Sequence, residues 1–270
     1  VGGFIIFGKN IDNPEQLKKL NKDLHNLGNF YPLIYVDEEG GSVVRLANKK
    51  NFNLPRYSSM QDIGDTDDLK EAYNVGETIG SYLKDYGIDV DFAPVADVNT
   101  NKNNPIIGRR SFSDDPYKAG NMAASMLDGL KSQKVFGCFK HYPGHGDTNT
   151  DTHKGYTEIL KDWNELQKCE LIPFNIGIKD QVPFIMTSHI SLPKITGDNK
   201  PTTLSYEMVT EKLRNEMNYN GIIISDAMAM GAIRNSYSDE ESSIDAILAG
   251  VPVLKRTIST PCCSRESVRW

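Results

Sequence analysis

VFGCFKHYPGHGDTNTDTHKG, from Val135 to Gly155, joins an apolar run to a polar loop. Its first seven residues, Val135–His141, are rich in β-branched and aromatic side chains and apolar on both faces, as a strand covered on both sides must be. Beyond His141, one proline and three glycines forbid a helix or a strand. Three of the chain's five histidines fall in this stretch, His141, His145 and His153, together with Lys140, Asp147 and Asp151. A buried strand that delivers polar groups at its carboxyl end is the pattern of a parallel α/β protein.

The same pattern recurs along the chain. Further strands are predicted at Gly2–Phe7, Pro32–Asp37, Asp89–Asp97, Pro183–His189 and Gly221–Asp226. Between them, Leu69, Ala72, Tyr73, Gly76, Ile79, Gly80 and Leu83 follow helical spacing, with Gly87 placed to end the helix. Asp115–Pro116 reads as an N-cap and first helical position for the apolar stripe Ala119, Met122, Ala123, Met126, Leu127 and Leu130. Weaker helices are expected over residues 14–27, 162–178, 205–217 and 240–249. Asp37, Asp97, His141, His189 and Asp226 all stand at strand carboxyl ends. A barrel gathers such ends at one mouth, whereas an open doubly wound sheet concentrates its chemistry at one switch point. A (β/α)8 barrel is therefore expected.

The 270 residues carry a formal net charge of −6 and 39% hydrophobic side chains, which suits one large soluble domain, or one domain and a fragment of another. An acidic balance without a Lys/Arg block argues against nucleic acid or an anionic membrane surface as partner. No apolar run approaches the roughly 18 residues of a membrane span. Cys138 and Cys169 sit in predicted regular structure, and Cys262 and Cys263 near the C-terminus; no disulfide framework emerges. The chain opens inside an apolar run, so a natural N-terminus upstream is expected, and localisation stays undetermined between cytoplasm and cell envelope. Gly3, Gly8 and Lys9 mimic a phosphate loop, but the interior is Phe4–Phe7, a buried strand, and the magnesium-binding hydroxyl position is Asn10. Residues Gly144–Asn149 hold two of the three glycines of a dinucleotide fingerprint and carry little weight.

Three readings compete for the Lys140–Gly155 loop. A metal site would use His141, His145 and His153, but Pro143 and Gly144 deny the helix that sets ligands four apart on one face, and no Cys pair or HExxH lies nearby. A solvated loop would use Asp, Asn, Thr and Gly only for turns. A catalytic loop would use Asp151 to hydrogen-bond His153 across Thr152, fixing the tautomer and leaving the other nitrogen for proton transfer. Gly144, Gly146 and Gly155 would let such a loop close over a ligand.

The segment Lys140–His153 resembles the signature of glycoside hydrolase family three, in its bacterial β-N-acetylhexosaminidase branch. VDEEGGSVVRL (Val36–Leu46), FAPVADVN (Phe92–Asn99), IIGRRSF (Ile106–Phe112) and ISDAMAMGAI (Ile224–Ile233) resemble further family segments in the family's order. The resemblance implies a (β/α)8 barrel over residues 1–254, incomplete at its N-terminus, with residues 255–270 as an irregular, foreign-looking tail. It implies a retaining exo-glycosidase that removes terminal β-linked N-acetylglucosamine from peptidoglycan fragments or chitooligosaccharides. Asp226 is then the nucleophile, suited by its charge to an oxocarbenium-like transition state, and His153 with Asp151 the acid/base dyad. Asp37, Arg45, Arg110, Lys140 and His141 are implied as contacts to the terminal sugar, with Arg110 rather than Arg109 selected by the family's spacing. Asp97 and His189 are expected to line the mouth or orient other groups. No metal or other cofactor is implied. A β-glucosidase-type activity of the same family and an inactive sugar-binding fragment are the alternatives.

Overall fold

The computed structural model describes residues 2–149, 151–152 and 155–256. Its six strands are β1 (Gly3–Ile6), β2 (Leu33–Val36), β3 (Val90–Asp91), β4 (Phe136–Tyr142), β5 (Phe184–Thr187) and β6 (Ile222–Ser225). They pair in chain order, every pair parallel. Sequential order without a reversal is the winding of a barrel and leaves no switch point of a doubly wound sheet. The result is a six-stranded half-barrel. A single parallel bridge from Ile224 to Val253 continues the sheet beyond β6.

Alternation along each strand divides the apolar side chains into two clusters. Tyr35, Val90, Phe92, Cys138, Phe184, Met186 and Ile224 fill the concave side, with Val253 packed against them. Ile34, Val36, Phe139, Ile185 and Ile223 point the other way, into a core shared with the helices. Burying each large side chain contributes about 1.5–3 kcal/mol. The helices Leu69–Asp85 and Pro116–Ser132 are the expected ones, and Asp115 caps the second by accepting from the Lys118 N–H.

Three elements differ from expectation. The strand foreseen over Asp89–Asp97 is regular only at Val90–Asp91, because Pro94 supplies no N–H; a lone bridge between Val95 and Lys140 follows. The helix expected over residues 162–178 is two, Trp163–Gln167 and Leu171–Lys179. Pro173 sits in the first turn of the second, where a missing N–H is tolerated. The helix Glu207–Glu216 is wound wide, with the Met217 N–H donating to the Lys212 carbonyl five residues back. The phosphate-loop mimic is strand β1 followed by a short turn at Gly8–Asn10.

Candidate active site

The alternation that fills the half-barrel also builds its mouth. Two residues beyond interior Tyr35 stands Asp37, two beyond Cys138 stands Lys140, two beyond Ile224 stands Asp226, and two beyond Val253 stands Lys255. Where a further layer of apolar side chains would close the interior, the chain places charges.

These charges are interlocked. The Lys140 ammonium lies 3.2 Å from Asp37 Oδ1 and 2.6 Å from Glu39 Oε1. Arg110 grips Glu39 with both arms of its guanidinium, Nε and Nη2 donating at 2.8 and 2.7 Å. Arg45 Nη2 approaches Asp37 Oδ2 at 3.5 Å. Lys255 Nζ donates to both Asp37 oxygens, at 3.3 and 3.2 Å, and lies 3.9 Å from Asp226 Oδ1. Arg109, by contrast, pairs with Asp62 at the surface.

Burial alone would raise the Asp226 carboxyl. Lys255, His141, His189 and the Ala227 N–H, which donates at 2.7 Å, overturn that and hold it well below the usual carboxylate range. Burial likewise opposes ionisation of Asp37, and Lys255, Lys140 and Arg45 overcome it. Glu39 is held at about 2 against its burial, by Arg110 and Lys140. For Lys140 burial works downward, but Glu39 and Asp37 leave the ammonium above its ordinary value. All these groups are therefore charged at neutral pH. Asp226 caps no helix: the next one starts at Gly231, with Met230 at its N-cap.

Asp97 is fully buried and organises the adjacent loop. One oxygen accepts the main-chain N–H groups of His141 and His145, at 3.1 and 2.6 Å, and the other lies 2.7 Å from His141 Nδ1. His145 sits between two threonine hydroxyls, Thr148 at Nδ1 and Thr152 at Nε2. Burial first, then His141, pushes its imidazole down to about 4, so it is neutral at pH 7. With both ring nitrogens on hydroxyls, His145 is a spacer inside the loop. His189 is similarly lodged, against the Thr203 hydroxyl and the Ala227 carbonyl beside Asp226.

Two of the three loop glycines, Gly144 and Gly146, serve close packing, whereas among the described residues a Cβ on Gly155 would meet only Asn235, at 3.7 Å. A Cβ on Gly146 would fall 1.8 Å from the Val98 carbonyl oxygen, and one on Gly144, whose φ is +134°, 2.8 Å from the Glu170 Cβ. Of the expected dyad, His153 lies outside the described residues. Asp151 is described, and its neighbour Thr152 ties the loop to the Asp226 side by accepting the Ala232 N–H at its carbonyl.

The sequence therefore located Asp37, Asp97, Lys140, His141, His189 and Asp226 at one mouth, with Arg45 and Arg110 reaching it. It overlooked two groups. Glu39 is committed to Arg110 and Lys140. Lys255 falls on the far side of the boundary drawn after residue 254, yet is buried among the site charges. The signal was available: Val253 to Lys255 repeats the two-residue step from Tyr35 to Asp37.

Residues 1–258 match the glycosyl hydrolase family 3 N terminal domain. A β-hexosaminidase A of Pseudoalteromonas piscicida is 32% identical over 94% of this chain and 45% of its own length. A β-hexosaminidase of Nitrosomonas eutropha is 33% identical over 93% of this chain and 72% of its own. Among solved structures, a glycoside hydrolase family 3 β-N-acetylglucosaminidase from Paenibacillus sp. str. FPU-7 superposes with a TM-score of 0.90 at 32% identity, covering 94% of this chain and 48% of that one. NagZ from Neisseria gonorrhoeae, in complex with N-trifluoroacetyl-D-glucosamine, gives 0.86 at 30% identity, over 94% and 73%. The chain thus spans about half the length of the first relative and of the first structure, 45% and 48%. On the extent of the domain match and on these relatives, the chain belongs to the glycosyl hydrolase family 3 N-terminal domain family.

Proposed function

We propose that the protein is a retaining exo-glycosidase that removes terminal β-linked N-acetylglucosamine from peptidoglycan fragments or chitooligosaccharides. The observation that carries this reading is Asp226, a carboxylate at the end of β6, oriented by the Ala227 N–H and kept ionised among cations in the mouth. An ionised carboxylate attacks the anomeric carbon to give a glycosyl-enzyme and stabilises the positive charge of the transition state. The named activities of the relatives and the N-trifluoroacetyl-D-glucosamine held by the Neisseria gonorrhoeae protein favour an N-acetylamino sugar. Asp37 accepts from sugar hydroxyls, while Arg45, Arg110, Lys140 and His141 donate to them. His153 protonates the departing oxygen and then activates water, with Asp151 fixing its ring; the tether through Thr152 supports placing this dyad opposite Asp226. Two displacements give net retention. The half-barrel is read as most of a (β/α)8 barrel whose catalytic domain runs to about residue 254, with Lys255 at its edge.

Neither glutamate of the Asp37–Glu39 stretch suits the acid role. Glu39 is held at about 2. Glu38 is turned from the mouth and accepts the N–H groups of Arg45, Leu46 and Ala47 and the Tyr82 hydroxyl. The test is a panel of chromogenic β-glycosides. Cleavage of the N-acetylglucosaminide with retention is expected; cleavage of the glucoside alone would move the substrate to the β-glucosidase type. Sugar binding with no turnover of any member would identify a binding module.

A further inference from the structure

The main chain of Lys255 is woven into both flanks of the residue proposed as nucleophile. Its N–H donates to Ser225 Oγ at 2.8 Å, immediately before Asp226, and its carbonyl accepts the Met228 N–H at 3.0 Å, just after it. The Val253 carbonyl accepts the Ser225 N–H at 2.9 Å. The side chain then turns into the mouth, over the Phe92 ring at 4.6 Å, and ends between Asp37 and Asp226. An ammonium is buried here only because two carboxylates and an aromatic face receive it.

From this placement we infer that Lys255 is a positioning residue of the active site, whose ammonium holds the sugar-binding carboxylate Asp37 and the nucleophile Asp226 at fixed spacing and in their charged forms. The inference rests on the roles proposed above for those two carboxylates. Lys140 cannot substitute, since it is shared between Asp37 and Glu39. Among the described residues, the other titratable or charged groups named around Asp226 are His141 from β4, His145 from the loop that follows, His189 after β5 and Arg110 before the helix Pro116–Ser132. The three histidines carry charge only when protonated, so Lys255 and Arg110 are the permanent cations, and Arg110 is committed to Glu39.

The test compares Lys255→Met and Lys255→Arg with the wild type, by thermal melting and by the pH profile of kcat/KM on an aryl β-N-acetylglucosaminide. An opposite charge within about 4–6 Å lowers a carboxyl by about 1–3 pH units. Lys255→Met should therefore move the acidic limb upward by about one unit, costing about tenfold in kcat/KM at a fixed pH on that limb. Lys255→Arg should return the limb toward the wild-type position. A folded Lys255→Met protein with an unmoved limb overturns the inference. So does a Met variant that fails to fold while the Arg variant folds, since the ammonium then serves stability alone. If neither folds, Lys255→Gln, which keeps a donor and loses the charge, is judged by the same two outcomes. A wild type without turnover on any aryl glycoside would instead defeat the functional reading itself.

Discussion

Asp37 and Glu39 point into a cluster of ammonium and guanidinium groups, while Glu38, between them, points away toward main-chain N–H groups and the Tyr82 hydroxyl, its own N–H donating to Asp91. All three are buried. For Asp37 and Glu39 the cations defeat the burial and hold the carboxyls below the usual carboxylate range. For Glu38 burial wins and its carboxyl is pushed up, although main-chain donors and Tyr82 oppose it. Asp91, which accepts the Glu38 N–H and has Oδ2 without a partner, is pushed up much further, by burial first. Depth therefore does not set the charge of a carboxyl in this molecule; the partner does. Two-residue alternation distributes the partners: one face of the segment serves the mouth and the other secures the fold.

Substitutions can break this contrast. The largest effect should come from Asp226→Ala, which removes the proposed nucleophile from the cation-facing set. Turnover should fall by more than about a thousandfold, as for other nucleophile deletions, in a protein that still melts cooperatively. Labelling with a fluorinated sugar followed by peptide mapping should mark Asp226 in the wild type, and a label on Asp37 or Asp97 would refute the assignment.

Glu38→Ala should do the reverse. It strands the N–H groups of Arg45, Leu46 and Ala47 and the Tyr82 hydroxyl. A loss of about 2–4 kcal/mol is expected in denaturant unfolding. Wild-type stability in that variant would show that the segment from Glu39 to Arg45 holds itself.

The smallest and sharpest test is the pH dependence of Tm between pH 3 and 7. Glu39 is depressed from an ordinary value of about 4.3, so its contribution is present above that value and is lost as pH falls through about 2. The deficit of Glu39→Gln should therefore be largest at neutral pH and shrink in acid. Asp91 is raised, so its contribution is complete below the ordinary Asp value and is lost as pH rises. Asp91→Asn should gain on the wild type with rising pH. Slopes of the same sign in both variants would erase the distinction between the two faces.

What could be read from the sequence was local. Helix ends showed in Asp115–Pro116 and Gly87, and apolar runs ending in Asp37, His141 and Asp226 located the mouth. Proline effects within elements were the first loss: Pro94 cuts β3 short and Pro173 restarts a helix. Pairings across the chain were the second. Glu39 and Arg110 are 71 residues apart, and nothing in either neighbourhood announces the other. Lys255 was hidden because the helical and strand rhythms fade around it, leaving one apolar residue, Val253, to mark its phase. The role of His145 was not legible in sequence at all; its two threonine partners, which occupy both ring nitrogens, lie three and seven residues on.

Asp37 and Lys255 are separated by 218 residues. A ribosome delivers the anion long before its cation, at about 5–20 residues per second. For that interval, roughly ten seconds or more on the same scale, Asp37 has only Arg45 and, once it is made, Lys140 as its cations, or stays hydrated. Of the charges that meet in the mouth, Lys255 is the last to be made, so the electrostatic ring closes only on the arrival of that single side chain.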